Sequence, residues 1–384
     1  MSVTAAGGFR AAGQAAGLKS SGARDVALVV NDGPLQAAAG VFTRNRVKAA
    51  PVVWSQQCLT TGELNAVALN SGGANACTGP AGFADTHHTA EHVAELLDCG
   101  PIEVAVCSTG LIGERLDMDA LLAGFDSCAR ELSPTGGPVA AEAIMTTDTV
   151  AKTAVAGPVE GVTVGGMAKG AGMLAPGLAT MLCVITTDAV VTAQALDEIL
   201  RAATARTFDR VDSDGCMSTN DTVLLLASGA SGCGLPVTVL AEMVETVAAS
   251  LARQLVADAE GASKDIRIDV INAAAESDAE TVGRAVAASN LFKCAVHGED
   301  PNWGRILSAV GTTDATFEVD EIDVAVNGVW VCRAGATGED RTLVDMSDRE
   351  VLVTIDLQAG DAAATIWTND LTAAYVHENS AYSS

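Results

Sequence analysis

Between Lys169 and Asp188 the chain reads K-G-A-G-M-L-A-P-G-L-A-T-M-L-C-V-I-T-T-D, and no other stretch constrains it more tightly. A lysine opens a glycine-rich loop that passes through Pro176 to the pair Ala179-Thr180. The apolar run Met181 to Ile185 then predicts a buried strand. A hydroxyl is thus poised between a loop and a rigid segment, where Thr180 Oγ can attack the preceding carbonyl and cut the chain. Small Ala179 and the glycine-rich approach leave room for the bent geometry this needs. Threonine is a poor nucleophile inside a chain, but a freed N-terminal threonine carries its own base, an α-amine with pKa about 7.7–8.0. A threonine in this position also suits a helix cap or the first residue of a strand, so residue types alone leave the readings open.

The remaining pattern is mixed α and β. Asp25 to Val30 and Ala37 to Phe42 are β-rich runs around the turn N-D-G-P (Asn31 to Pro34), which predicts a hairpin. Asn65 to Leu69 is a further strand, ending in N-S-G-G-A-N-A-C-T-G (Asn70 to Gly79), a tight polar turn or a substrate wall. Asp85 to Leu97 reads as a helix carrying His87, His88 and His92. His88 and His92 have metal-ligand spacing, but no third ligand is near, and a solvated helix face is the simpler account. Ile102 to Cys107 runs as a strand into S-T-G (Ser108 to Gly110), whose hydroxyl and glycine N–H can donate to an oxyanion or merely form a turn. Ala140 to Met145 leads into T-T-D-T (Thr146 to Thr149), a helix end or a set of hydroxyls lining a site.

Beyond Asp188, Thr192 suits an N-cap for a helix ending near Phe208. Val211 to Thr222 is a polar loop that lacks the late glutamate of a calcium loop. From Thr238 a long helix places Leu240, Met243, Val244, Val247, Leu251 and Leu255 on one face and stops at Gly261. Ile266 to Ile271 predicts a strand, Asp278 to Ala288 a helix, and His297 to Arg305 a specified non-helical loop. Asn327-Gly328, between two apolar runs, predicts a type I′ hairpin, and Val351 to Leu357 and Ala363 to Trp367 add strands.

Composition narrows the partners. The 384 residues carry 48 acidic and 22 basic side chains, a net charge of −26, which argues against a nucleic-acid or anionic-membrane partner. The length predicts two or three domains, and 49% apolar residues supply ample core. Ten single cysteines without a C-x-x-C pair fit reduced, mostly buried thiols of a cytoplasmic chain rather than a disulfide framework or a zinc site. No signal-peptide pattern and no 18-residue apolar run is apparent. The loop at Lys169 lacks both G-x-x-x-x-G-K-[ST] and G-x-G-x-x-G, which weighs against nucleotide binding.

The central stretch resembles the signature of the ornithine acetyltransferase family, the glutamate N-acetyltransferases of arginine biosynthesis. Further matching segments are G-V-F-T-R-N (Gly40 to Asn45), N-S-G-G-A-N-A-C-T-G, S-T-G-L-I-G (Ser108 to Gly113), I-M-T-T-D-T, S-T-N-D-T, D-P-N-W-G-R and the C-terminal tail, so the resemblance is nearly full length. Departures are D-G-C-M before S-T-N-D-T, Gly73 where asparagine is usual, and a terminal serine where threonine is common. The resemblance implies self-cleavage between Ala179 and Thr180, with Thr180 as acetyl-accepting nucleophile. It implies Thr109 and Gly110 as the oxyanion hole, and Thr146, Lys169, Thr180, Glu260, Asn379 and Ser384 as substrate-binding residues. The implied reaction moves acetyl from N-acetylornithine to glutamate, giving ornithine and N-acetylglutamate, without metal or organic cofactor; some members also accept acetyl-CoA. An N-terminal-nucleophile aminopeptidase or amidohydrolase is the alternative. The implied fold is α/β (α+β), a four-layer αββα sandwich with smaller α/β domains. Residues 1–179 and 180–384 would form alpha and beta chains, with a C-terminal α/β part from about 265, assembled as a heterotetramer of two of each.

Overall fold

The computed structural model describes residues 2–174 and 181–381. The first part of the chain forms β1 (Phe9–Gln14), β2 (Val26–Asn31), β3 (Ala37–Phe42), α1 (Ala50–Cys58), β4 (Ala66–Asn70), α2 (Gly79–Leu97), β5 (Val104–Ser108), α3 (Met118–Glu131) and α4 (Gly137–Ala143). The middle holds β6 (Lys152–Val159), β7 (Val162–Lys169), β8 (Leu182–Thr187), α5 (Ala193–Arg206), β9 (Thr222–Ala227) and α6 (Val237–Ala257). The last third has β10 (Asp265–Ala273), α7 (Glu276–Ala287), α8 (Asn290–His297), α9 (Trp303–Val310), β11 (Asp323–Val326), β12 (Val329–Arg333), β13 (Ala336–Thr337), β14 (Glu350–Asp356), β15 (Ala362–Asn369) and α10 (Ala373–Ala381).

Three sheets result. The first has order β1-β2-β4-β5 and the second β3-β9-β8-β7-β6. They lie face to face because β8 and β9 alternate cleanly. Leu182, Val184, Leu224 and Leu226 point into the core shared with the first sheet, whereas Cys183, Ile185, Val223 and Leu225 point to the core beneath α5 and α6. Helices α2 and α3 cover the other side of the first sheet. The layers are therefore αββα, and strands buried on both faces need the unbroken apolar runs seen in the sequence. The third sheet, β13-β12-β11-β14-β10-β15, packs its own core against α7, α8 and α9.

The local signals hold at many points. Thr192 Oγ1 accepts from Ala195 N–H at the start of α5, and the predicted stripe of α6 is buried. Asn327 and Gly328 both have positive φ, as a type I′ turn requires. Gly261 ends the α6 region with φ +62°, and a Cβ there would lie 2.2 Å from the Tyr375 nitrogen. All ten cysteines are free; five are buried and four exposed, so the thiols are less uniformly interior than expected.

Two predictions fail. The runs on either side of Asn31 to Pro34 form no hairpin, because β2 pairs with β1 and β4 while β3 pairs with β9 of the other sheet. Asn31 Oδ1 accepts from Gly33 N–H, and a Cβ on Gly33 would meet Ser228 O at 2.3 Å, so this turn carries the chain between layers. The segment His297 to Arg305 is not wholly irregular, since Trp303 to Arg305 begin α9. Asn302 caps that helix, its Oδ1 accepting from Arg305 N–H at 3.2 Å.

Candidate active site

The ends of several strands converge where β7 stops and β8 starts. Lys169 pairs with Leu182 and Leu182 with Thr222, so residues 169, 182 and 222 lie in one row across the second sheet. The first sheet presents the ends of β4 and β5 to the same place. Asn70 pairs with Ser108 there, and Ser108 Oγ donates to Asn70 Oδ1. The loop before β9 ties the sheets together, since Asn220 Nδ2 donates to Ala74 O (2.6 Å) and Ser108 O (2.8 Å). Thr109, Gly110, Thr146, Lys169, Glu260 and Asn379 all line the cavity at this junction, although they come from widely separated segments.

Thr109 spends its backbone N–H on Asn70 O (3.0 Å). Its hydroxyl accepts from Lys169 Nζ at 3.2 Å, which leaves its own proton free to donate. Gly110 follows with φ +130°, and a Cβ there would lie 2.8 Å from Gly73 N. Only glycine fits this turn, and Gly110 lines the cavity.

Lys169 is 2% exposed, and among the described residues no carboxylate lies within ion-pair distance of its ammonium. Burial lowers its pKa, with Asp148 opposing that effect. Burial likewise pushes the Asp148 carboxyl up, but Lys169, Lys152 and the Gly170 N–H outweigh it and hold it at about 2. Asp148 Oδ1 accepts from Lys152 Nζ and Gly170 N–H, both at 2.6 Å, and Oδ2 from Thr146 N–H at 2.9 Å. Lys152 also reaches Asp258 at 2.6 Å. Glu260 Oε1 accepts from Thr147 Oγ1 at 2.6 Å, and Glu260 N–H donates to Ala171 O. A cation, a carboxylate and several hydroxyls therefore face one cavity, a set suited to a small zwitterionic ligand.

Ala179, Thr180 and Ser384 lie outside the described residues. The residues on either side of residues 175–180 are nonetheless fixed at the cavity, with Gly172 and Met173 in its wall and Met181 N–H donating to Asp221 Oδ1. Sequence reasoning offered the T-T-D-T hydroxyls as an alternative without singling out Thr147, and it missed Asp148, Ser218, Thr219, Asn220 and Asp221 as site residues. T-T-D-T and S-T-N-D-T were visible as polar runs, but only the fold shows which of their side chains turn inward. The histidines of α2 stand apart: His87 packs edge-on against Trp54, and His92 Nε2 contacts Asp126 Oδ1 at 2.9 Å. Among the described residues, no group of three His, Cys, Asp or Glu side chains could hold a metal ion, and no helix is long and apolar enough to cross a membrane.

Comparison with known proteins gives consistent matches. The model of the ArgJ family matches residues 10–384. The arginine biosynthesis bifunctional protein ArgJ of Streptomyces coelicolor is 68% identical over 384 residues, covering all of both chains. Its counterpart in Mycobacterium tuberculosis is 58% identical over 389 residues, covering all of this chain and 96% of that protein. A crystal structure of ornithine acetyltransferase complexed with ornithine, from Mycobacterium tuberculosis, is 64% identical over a match covering 47% of this chain and 96% of that one, with a TM-score of 0.45.

Proposed function

The chain belongs to the ArgJ family, and from that premise we propose that it is a self-cleaving acetyltransferase of arginine biosynthesis, passing acetyl from N2-acetyl-L-ornithine to L-glutamate through Thr180. The observation that carries the reading is the convergence of Thr109, Gly110, Lys169 and Glu260 on the cavity flanked by the two ends of the 170–181 connection.

Thr180 Oγ attacks the acetyl carbonyl, and its α-amine takes the Oγ proton. The Thr109 hydroxyl and Gly110 N–H donate to the oxyanion that forms. The tetrahedral intermediate collapses, the C–N bond breaks, and ornithine leaves with a proton from the Thr180 ammonium. Glutamate's amine then attacks acetyl-Thr180 and loses its proton to the same α-amine. N-acetylglutamate departs as Thr180 Oγ is reprotonated. The buried ammonium of Lys169, with no carboxylate at ion-pair distance among the described residues, suits a substrate carboxylate. Glu260 suits the ornithine side-chain ammonium, Thr146 and Asn379 line the walls, and Ser384 is a further substrate-binding residue. Acetyl-CoA serves as a second donor for glutamate. Residues 1–179 and 180–384 become alpha and beta chains of a cytoplasmic heterotetramer.

Intact mass and labelled acetyl transfer test this together. Wild type is expected as two fragments meeting at Ala179/Thr180, and Thr180→Ala as one inactive chain. Label should pass from acetylornithine to N-acetylglutamate. Release of free acetate with no N-acetylglutamate would instead mark a hydrolase.

A further inference from the structure

Asp221 is fully buried beside the cavity, and the mechanism above gives it no task. Its place follows from sheet register. Because Leu182 pairs with Thr222 in parallel, the residues just before them, Met181 and Asp221, are brought side by side. Thr222 N–H donates to Met181 O at 3.1 Å, and Met181 N–H donates to Asp221 Oδ1 at 3.1 Å. On the other side, Thr43 N–H donates to Asp221 O at 2.9 Å. One carboxylate oxygen is thus tied to the residue that follows Thr180 in the chain.

The other oxygen, Oδ2, accepts from no described residue. The Thr43 and Ser218 hydroxyls lie near enough to favour the charged form. Thr43 Oγ1 donates its proton to Ser218 O at 2.7 Å, whereas Ser218 Oγ accepts from Asn220 N–H at 3.0 Å and keeps its own proton. Lys169, on β7, is the cation that faces Asp221, and burial still drives its carboxyl well above the ordinary range. A buried carboxyl with an unused oxygen is costly, and native folds seldom keep one without a role.

The uncut chain has such a role open. After the cut Thr180 carries its own α-amine, but before it that nitrogen is an amide and accepts no proton. Self-cleavage therefore needs a base that the transfer reaction does not. We propose that Asp221 is that base: in the uncut chain it takes the Thr180 Oγ proton through Oδ2. Thr180 Oγ then bonds to the Ala179 carbonyl carbon, the C–N bond breaks, and the departing nitrogen receives the proton from Asp221. The resulting ester is hydrolysed when water, losing a proton to Asp221, attacks the same carbon. The C–Oγ bond breaks, Thr180 Oγ regains that proton, and Ala179 leaves as a carboxylate, its acid proton passing to the freed Thr180 α-amine. One water is consumed and Asp221 ends as it began. The assignment rests on Thr180 being the cleavage-site nucleophile.

The test follows full-length chain made by cell-free translation, sampled with time by intact mass, for wild type, Thr180→Ala, Asp221→Asn and Asp221→Ala. Asp221→Asn keeps the acceptor for Met181 N–H and is expected to melt cooperatively while cutting at least about 100-fold more slowly than wild type. Cutting at the wild-type rate would overturn the assignment. Asp221→Ala is followed with and without formate, which separates a missing proton acceptor from mere loss of the Met181 anchor. Formate restoring the cut supports the proposal, and a cut that formate leaves unchanged rules it out. If the Asn chain shows no cooperative melt, the Ala series decides by those two outcomes. An uncut wild type would sink the Thr180 reading itself, whereas a cut wild type with a normally cut Asn variant sinks only the role of Asp221.

Discussion

Asp148 shows how one side chain sets the charge state of the site. Its carboxylate holds Lys152 at 2.6 Å and opposes the loss of charge that burial imposes on Lys169. The folded carboxyl sits at about 2 against an ordinary 3.8. A depressed carboxyl contributes stability that is fully present above the unfolded pKa and is lost as pH falls through the folded one. Wild-type stability should therefore decline between about pH 4 and pH 2. Asp148→Asn should lose about 2–3 kcal/mol at pH 7 and show a flatter acid limb in denaturant titrations. The same variant should lower kcat/KM, because a buried ammonium without a counter-charge is more readily neutral. An unchanged acid limb would mean that Asp148 titrates alike in both states.

At the scale of elements, α6 is the clearest link between pattern and packing. Its apolar stripe lies on the second sheet, and Leu251 Cδ1 sits 3.1 Å from where a Gly166 side chain would begin, so small residues on β7 admit large ones from the helix. Leu251→Ala should cost about 3 kcal/mol in thermal or chemical unfolding, through a cavity the sheet cannot close. Such elements were legible because their signal is local: a 3.6-residue stripe, a two-residue turn, a short apolar run. The failed hairpin differs in kind. The strand content of β2 and β3 was readable, but the partner of β3 lies about 185 residues downstream, and no local period reports it. The site divides in the same way. Thr109, Gly110, Lys169 and Glu260 could be named from motif resemblance, whereas Asp148, Thr147 and Asp221 emerge only from hydrogen bonds between distant segments.

For the whole molecule, the position of the proposed cut within the sheet order decides what cutting does. The second sheet, β3-β9-β8-β7-β6, places β8 and β9, from beyond residue 180, between β3 on one side and β7 and β6 on the other, all from before residue 179. The downstream strands are thus clamped by antiparallel pairing on both flanks, Ala37 to Phe42 against β9 and Val164 to Lys169 against β8. Leu182, Val184, Leu224 and Leu226 are also buried in the core built on the first sheet. Breaking the peptide bond between Ala179 and Thr180 removes none of these contacts. The two fragments should therefore co-elute in equal amounts as one species in native gel filtration and melt in a single transition. Backbone pairing and apolar burial hold them, so salt at about 1 M should leave the pair intact. Denaturant should separate them only across the unfolding transition. Fragments that part under native conditions would show that the clamped sheet does not survive the cut.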